Sequence, residues 1–249
     1  MEKEYYISVD TGGTFADCVV ADHDGNVIID KASSTPRDFS QGVLASVKVA
    51  AKRLGISMEK LLEQTKLFFH GTTVATNAII VRSGVKVGLI TTRGFEDTAF
   101  IMRGRGRTDG LLEMEIRHET TARKPETLIP RYLVKGVTER VDLFGNVLVP
   151  LNKEEVYEAV NYLVEEQGVE AIAVCFLWSF RHPEHEEEVK RIIKEKYPDL
   201  WVSISTELAP SHREYPRTNT AIIDSYVGPI TNTYLGHLEE ALNRSGYKY

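Results

Sequence analysis

A glycine-rich segment near the start of the chain, Asp10-Thr11-Gly12-Gly13-Thr14-Phe15-Ala16-Asp17, carries the residue types that phosphate chemistry needs. Adjacent glycines let the backbone approach a ligand closely and adopt positive φ, so that their amides can point at phosphate oxygens. A carboxylate at a strand end can hold magnesium, which usually keeps several waters in phosphate sites. The segment therefore predicts a phosphate site beside a magnesium ion, with a glycine turn that binds nothing as the alternative.

Asp10 is the candidate metal ligand of this segment, holding magnesium through water, and a candidate catalytic residue. We expect the glycine amides and a threonine hydroxyl to contact phosphate, and a second carboxylate to act as a polar anchor. The candidate cofactor-binding residues are Thr11, Gly12, Gly13, Thr14 and Asp17.

A second candidate segment is His70-Gly71-Thr72-Thr73-Val74-Ala75-Thr76-Asn77, placed where a predicted strand ends and a helix begins. Ligands of open α/β sheets lie at the carboxyl ends of strands, and a helix N-terminus favours anions. We expect His70 and Thr72 to be catalytic and Thr73 to contact the cofactor. The alternatives are that Thr72 or Thr73 only caps the helix and that His70 is structural.

Two further groups of polar residues are explained more simply without a ligand. Arg103 and Arg105 could approach a phosphate or substrate, but an exposed charge run is more often a solvated loop. His182, His185 and Glu186 are metal-ligand types, yet their spacing lacks a paired-histidine signature. We favour a structural role for these three, because acidic residues at the start of a helix suit its dipole.

The elements that must position the two candidate segments begin with an antiparallel meander, whose hairpin turn is Asp24-Gly25-Asn26. Apolar periodicity predicts strands at residues 5–9, 15–21, 27–31, 66–69 and 85–90, and helices at 39–54 and 73–82. The order β-β-β-α-β-α-β resembles one ribonuclease-H-like lobe of the actin, Hsp70 and sugar-kinase ATPases. The predicted fold class is α/β, with a second α/β subdomain after this lobe.

Four regions follow from this pattern. Residues 1–100 are the predicted ribonuclease-H-like phosphate-binding lobe, and 101–131 an irregular, exposed connection rich in arginine and glycine. Residues 132–210 form an α/β subdomain with a hairpin around residues 142–146 and a helix capped by Asn152. Residues 211–249 form a helix that Pro229 must kink or divide.

The composition narrows the function classes. The chain has 249 residues, and 36 Asp and Glu against 30 Lys and Arg give a net charge of -6, which makes nucleic acid a poor partner. Cys18 and Cys175 lie in apolar runs, which suits reduced, buried thiols and excludes a disulfide scaffold. With neither a signal core nor a membrane-spanning apolar run in the sequence, we expect a cytoplasmic protein without membrane contact.

Several motifs in one order make a more specific match than any glycine turn. The two candidate segments, followed by residues 88–95, 139–142, 148–151, 175–180, 182–186 and 213–220, resemble the N-terminal region of the hydantoinase A, 5-oxoprolinase and acetone or acetophenone carboxylase family. The resemblance spans essentially the whole chain. Residues 129–133 and 142–145 look slightly closer to the ketone carboxylase subunits than to the hydantoinases.

This resemblance implies an enzyme that uses ATP and magnesium to phosphorylate a small carbonyl substrate, a cyclic amide or a ketone, before hydrolysis or carboxylation. The family pattern continues into a longer ATPase half, so the chain would be a fragment or a subunit completed by a partner in a hetero-oligomer. The helix of residues 211–249 would lead towards that missing or partner lobe. The chain alone would be inactive, because the nucleotide site of a two-lobed ATPase closes between lobes.

Two other classes stay open. A dehydratase-activating ATPase shares the lobe but needs cysteines for an iron–sulfur cluster, and both cysteines here lie in predicted strands. A non-catalytic assembly or regulatory subunit would keep the fold without turnover. The sequence leaves the choice between cyclic amide and ketone open.

Overall fold

The structure, a computed structural model, describes residues 3–35, 38–104, 107–108, 110–122 and 124–248. The chain divides into two compact units. Unit 1 comprises Met1–Ser83 and Ile230–Tyr249, and unit 2 comprises Gly84–Pro229. Unit 1 is therefore made from two separate stretches of sequence, whereas unit 2 is continuous.

A mixed four-stranded sheet forms the centre of unit 1. Its strands are β1 (Tyr5–Thr11), β2 (Phe15–Asp22), β3 (Val27–Ser33) and β4 (Thr65–Thr72), in the order β3-β2-β1-β4. The first three are antiparallel neighbours, and β4 is parallel to β1. The helices in this part of the chain are α1 (Phe39–Arg53), α2 (Met58–Glu63) and α3 (Val74–Ile80).

One face of this sheet is buried and the other is open. Alternate residues of β1 and β2, among them Ile7, Val9 and Cys18, pack against the apolar face of α1. The N-cap Asp38 starts α1 because its carboxylate accepts the Ser40 amide proton. Residues of the second stretch complete this core: Tyr234, Leu238 and Leu242.

A parallel sheet forms the centre of unit 2, in the order β10-β9-β5-β6. The strands of this unit are β5 (Val87–Thr92), β6 (Val134–Val137), β7 (Arg140–Val141), β8 (Val147–Val149), β9 (Ala171–Cys175) and β10 (Trp201–Ile204). Strands β7 and β8 form a separate antiparallel hairpin. Each residue of β5 and β9 is buried, as expected for central strands of a parallel sheet.

The helices from unit 2 onwards are α4 (Thr98–Ile101), α5 (Glu113–Ile116), α6 (Lys153–Asn161), α7 (Glu184–Lys196), α8 (Ser205–Leu208) and α9 (Glu214–Arg244). The core lies between the sheet and the apolar faces of α6 and α7, with Val160, Ile192 and Ile193 inward. No helix of the described ranges is long and apolar enough to cross a membrane.

The mixed α/β class and most predicted elements are confirmed. The hairpin turn is closed by the Asp22 amide donating to the Asn26 carbonyl, with Gly25 at a φ of 84°. Asn152 caps α6 by accepting the Glu155 amide proton. Both cysteines are free and buried, and burial raises the pKa of Cys18 to about 12 and of Cys175 to about 11.

The division of the chain differs from the predicted regions in two places. Strand β5 was expected in the lobe of residues 1–100, but it pairs with β6 and β9 and is central to unit 2. The helix of residues 211–249 was predicted as a separate region, but its last part belongs to unit 1 and packs into the core of that unit through Tyr234. Pro229 lies inside α9, which is assigned as one helix.

Candidate functional site

The glycine turn lies between β1 and β2 and is held mainly by backbone hydrogen bonds. The Gly12 amide donates to the Phe15 carbonyl at 2.9 Å, which closes the turn. Ser34, the residue after β3, holds the turn: its hydroxyl donates to the Gly12 carbonyl at 2.8 Å and its amide to the Thr14 carbonyl at 2.8 Å. The Gly12 amide is therefore used by the fold, so only the Gly13 amide remains of the two predicted amide contacts.

The backbone conformation of the turn does not require glycine at position 12 or 13. Both were expected to use positive φ, but neither is among the described residues with positive φ. A Cβ at Gly12 or Gly13 would meet its nearest atom at 3.6 Å, an ordinary contact distance. The fold itself would therefore accept a side chain at Gly13.

Two carboxylates stand side by side next to this turn. Asp10 of β1 and Asp17 of β2 are directly paired residues of neighbouring antiparallel strands, and both are exposed. In the described parts of the chain, neither side chain takes part in an ion pair or a hydrogen bond. Asp10 also pairs with Gly71 of β4, where an added Cβ would lie 3.2 Å from the Asp10 Oδ1.

This pair of carboxylates fits a hydrated magnesium ion better than a metal bound entirely by protein. No group of three or more His, Cys, Asp or Glu side chains that could hold a metal occurs among the described residues. Magnesium usually takes one or two carboxylates and completes its shell with water and phosphate oxygens. Asp10 and Asp17 are therefore suitable residues for that ion.

The predicted site residues differ in exposure, and those on the strands lie on opposite faces of the sheet. The exposed ones are Asp10, Gly13, Thr14, Asp17 and Thr73, whereas Thr11, His70 and Thr72 are buried or half-buried. Thr11 is fully buried, and its Oγ1 has no hydrogen-bond partner in the described structure. Side-chain alternation along the strands thus separates the predicted catalytic residues Asp10 and His70.

The structure fixes both ring nitrogens of His70. Its Nδ1 lies 3.1 Å from the Val9 carbonyl, which can only accept, so Nδ1 carries the proton. The Nε2 then accepts from the Tyr234 hydroxyl at 2.6 Å. Burial lowers the pKa of His70 and raises that of Tyr234. His70 is therefore neutral in this structure, and both of its ring nitrogens form hydrogen bonds. This arrangement agrees with the alternative in which His70 has a structural role.

The threonines after His70 hold the start of α3. The Thr72 hydroxyl accepts the Val74 amide proton at 3.2 Å, whereas Thr73, the residue before α3, makes no side-chain cap. Thr73 ties this junction to the glycine strand, because its amide donates to the Thr11 carbonyl at 3.3 Å. Thr72 therefore has a capping role, and Thr73 stays exposed beside β1.

Sequence reasoning missed two residues around these segments. Asn77 donates to the Thr73 hydroxyl at 3.3 Å and lies 3.6 Å from a Cβ built on Gly13, so it joins the two candidate segments. The position of Asn77 within the second candidate segment was a sequence signal for this role. Tyr234 contacts His70 across 164 positions of sequence and carried no local signal other than its place on an apolar helix face.

Two of the weaker candidates, Glu186 and His185, have structural roles. Glu186 is fully buried and its carboxylate accepts five hydrogen bonds, which come from Phe176, Ser179, Ser205 and, twice, Thr206. His185 is bound instead to Glu139, whose other oxygen accepts from the Thr92 hydroxyl. Arg103 lies in a short turn with a φ of 56°, and Arg105 lies outside the described residues.

Comparison with known proteins gives a consistent family. A profile of the hydantoinase/oxoprolinase N-terminal region matches residues 6–197. The chain is 34% identical, over 98% of its length, to the caprolactamase subunit alpha of Pseudomonas jessenii. It is 38% identical, over 97% of its length, to the acetophenone carboxylase gamma subunit of Aromatoleum aromaticum. It covers 34% and 33% of those two proteins, so it spans about a third of their length.

Two solved structures share this architecture. A nucleotide-free acetone carboxylase, from a study of ATP-dependent acetone carboxylation, matches with a TM-score of 0.91 at 30% identity. The alignment covers 99% of this chain and 35% of that one. The ATP-dependent caprolactamase of Pseudomonas jessenii matches with a TM-score of 0.88 at 34% identity, over 98% of this chain and 34% of that one.

Proposed function

Because this chain belongs to the hydantoinase/oxoprolinase N-terminal family, we propose that it is the N-terminal ATPase part, or a split subunit, of an ATP-dependent cyclic amidohydrolase or ketone carboxylase. The observation that carries the proposal is the glycine turn beside two carboxylates that have no partner in the described structure. The proposed lobe is ribonuclease-H-like. ATP would supply the phosphoryl group that activates a substrate carbonyl before hydrolysis or carboxylation.

Each exposed residue of the turn has a proposed part in this site. Asp10 would hold magnesium through water, and Asp17, beside it across the strand pair, would strengthen the negative field at that point. The amides of Gly13 and Thr14 and the hydroxyls of Thr14 and Thr73 would bind phosphate oxygens. Phosphoryl transfer needs mainly such positioning and charge neutralisation.

His70 and Thr72 act through the strand rather than on the nucleotide. His70 holds β4 to β1 through the Val9 carbonyl and binds Tyr234, so both ring nitrogens are occupied. This proposal therefore moves His70 and Thr72 from catalytic residues to positioning residues of the Asp10 strand. A variant that loses the His70 bond should change the affinity for nucleotide less than one that loses the Asp10 carboxylate.

Partners are proposed from the outer face of the unit 1 sheet. Ile29, Leu67 and Phe69 are 64%, 50% and 56% exposed on the face that also carries Asp10. Several exposed apolar side chains on one sheet face favour a surface that another polypeptide covers. We propose that the rest of the enzyme, or a partner subunit in a hetero-oligomer, covers this face in a cytoplasmic complex. The same surface also suits the second candidate function, a non-catalytic assembly subunit.

Calorimetric titration with magnesium-ATP tests the proposed function, first on this chain and then with the remaining polypeptide of the enzyme. We expect Asp10→Asn to weaken magnesium-dependent binding by about tenfold or more, the scale of one lost charged contact. The matched control is Asp24→Asn, an exposed carboxylate in the turn between β2 and β3 of the same unit.

Two outcomes would contradict the proposal. Unchanged binding in Asp10→Asn would remove Asp10 from the site. No magnesium-ATP binding by the folded chain, even with the remaining polypeptide present, would favour the assembly subunit.

A further inference from the structure

A small cavity of about 190 Å³ lies at the carboxyl ends of the central strands of unit 2. Its wall is formed partly by Phe95, which follows β5, and by Leu177 and Trp178, which follow β9. From β5 the chain moves to β6 on one side, and later to β9 and β10 on the other. The cavity therefore lies at the point where the strand order reverses, which is where open α/β sheets bind ligands.

Three arginines line this cavity: Arg140, Arg213 and Arg217. Within the described part of the chain, none of them forms an ion pair. One carboxylate, that of the exposed Glu214, lies among the lining residues. A cleft lined by an excess of one sign of charge concentrates ions of the opposite sign, so this cavity favours an anion.

Arg217 is the most unusual of the three because its side chain is 1% exposed. Its Nη1 donates to the Ser179 and Ser205 hydroxyls, and its Nη2 to the Phe176 carbonyl. Its buried Nε has no hydrogen-bond partner in the described residues. The partners of the guanidinium are thus neutral, and the Glu186 carboxylate is separated from it by the Ser179 and Ser205 hydroxyls. Because no carboxylate contacts the guanidinium directly, part of its positive charge acts on the cavity.

Aromatic rings hold Arg140 and Arg217 without neutralising them. The guanidinium carbon of Arg140 lies 5.1 Å from the centroid of Phe95, and that of Arg217 lies 5.5 Å from the centroid of Phe180. A cation over a ring is attracted to it but keeps its charge and most of its N–H donors. Arginine donors form a planar fork that matches a carboxylate or phosphate. Arg140 and Arg213 are thus available for an anion.

We infer that this cavity is a binding site for a small organic carboxylate, whose anionic head binds Arg140 and Arg213 in the field of Arg217. The remaining wall of Leu177, Trp178 and Phe180 is apolar or aromatic, and it favours an organic body over an inorganic ion. The site lies wholly in unit 2 and uses no residue of the glycine turn. Binding at this site therefore does not depend on whether unit 1 binds a nucleotide.

Three probes of the purified chain separate the features of the ligand. Benzoate carries both the anionic head and an apolar body, benzamide keeps the body without the charge, and inorganic phosphate keeps the charge without the body. Calorimetry at fixed ionic strength should show saturable benzoate binding in the millimolar range, with benzamide about tenfold weaker or worse, as expected for loss of charge-assisted hydrogen bonds.

Variants locate the binding. Arg140→Gln and Arg213→Gln should each weaken benzoate binding by about tenfold, because each removes one charged donor group. The matched control is Arg181→Gln: its guanidinium carbon also lies near the Phe180 ring, at 5.6 Å from the centroid, but Arg181 does not line the cavity. Benzoate should also shift the indole resonance of Trp178 in an NMR spectrum.

Each other outcome overturns the inference. Equal affinity for benzoate and benzamide would show that the cavity does not recognise an anion. Phosphate binding as tight as benzoate binding would show that the site does not select an organic body. Unchanged affinity in both arginine variants, or no saturation by benzoate, would leave no carboxylate site in this cavity. These tests use exposed or half-exposed arginines, so they do not depend on folding of an Arg217 variant.

Discussion

Asp10 and Asp17 in unit 1 and Arg217 in unit 2 are charged side chains without a direct ion pair among the described residues, but they are held in opposite ways. The two carboxylates reach the open face because β1 and β2 pair in register and the turn is closed by backbone atoms. Arg217 is buried and depends on the Ser179 and Ser205 hydroxyls and the Phe176 carbonyl, with the Glu186 carboxylate beyond the two hydroxyls. Loss of the Asp10 or Asp17 carboxylate should therefore affect binding, whereas loss of a partner of Arg217 should affect stability.

The largest expected effect is in unit 2. Glu186→Gln removes the charge that faces Arg217 through the Ser179 and Ser205 hydroxyls, and it should lower the free energy of unfolding by roughly 3–5 kcal/mol, the scale for a buried charge left without a compensating charge. Urea unfolding measures this. Glu187→Gln, the exposed neighbour on α7, is the control and should change stability by less than about 0.5 kcal/mol. Equal effects in the two variants would show that the contacts around Arg217 do not carry this stability.

A smaller effect is expected where unit 1 does use a side-chain contact. Tyr234→Phe removes the hydroxyl that His70 Nε2 accepts, and it should cost about 1 kcal/mol, the net value of one hydrogen bond. The same urea measurement applies. Tyr157→Phe, an exposed tyrosine of α6, is the control and should unfold as the wild type does. A loss as large as that of Glu186→Gln would show that unit 1 is equally dependent on side chains.

The pH dependence of stability gives a finer test of the same histidine. The pKa of His70 is lowered in the folded state, so the unfolded chain takes up a proton first as the pH falls below about 6.5. Stability from His70 is therefore complete above that pH and is lost as the pH falls towards the lower folded pKa. His70→Gln should lose less stability between pH 7.5 and pH 5.5 than the wild type, as measured by urea unfolding at each pH.

The control for this titration is His118→Gln, since His118 is exposed. It should lose as much stability between the two pH values as the wild type does. A wild-type stability that rises on acidification would contradict the sign derived from the lowered pKa of His70.

The smallest effect on stability is expected at the glycine turn. Gly13→Ala should change the free energy of unfolding by less than about 0.5 kcal/mol, because an added Cβ meets its nearest neighbour at an ordinary distance. If the turn approaches phosphate closely, the same change should weaken magnesium-ATP binding. Gly236→Ala, in the helix α9 with open space around it, is the control for binding. A destabilised Gly13→Ala would mean that the fold itself requires the glycine.

The sequence predicted the local elements better than their assembly. The turns at Gly25 and Gly145 and the cap at Asn152 were predictable because each depends on a few neighbouring residues. The sheet to which β5 belongs was not, since an apolar run fits the centre of either sheet. The separation of Asp10 from His70 follows from register between β1 and β4, which a single sequence does not reveal. Arg217 was not predicted as a buried charge, because its partners lie at 176, 179 and 205.

The discontinuity of unit 1 has a consequence for synthesis on the ribosome. Residues 84–229 form a continuous unit that can fold as soon as it emerges, whereas residues 1–83 must wait for Tyr234, Leu238 and Leu242 to complete their core. During that delay the first stretch exposes part of its apolar surface to chaperones and proteases. A nascent chain stopped after residue 229 should therefore be digested quickly before residue 84 and slowly after it.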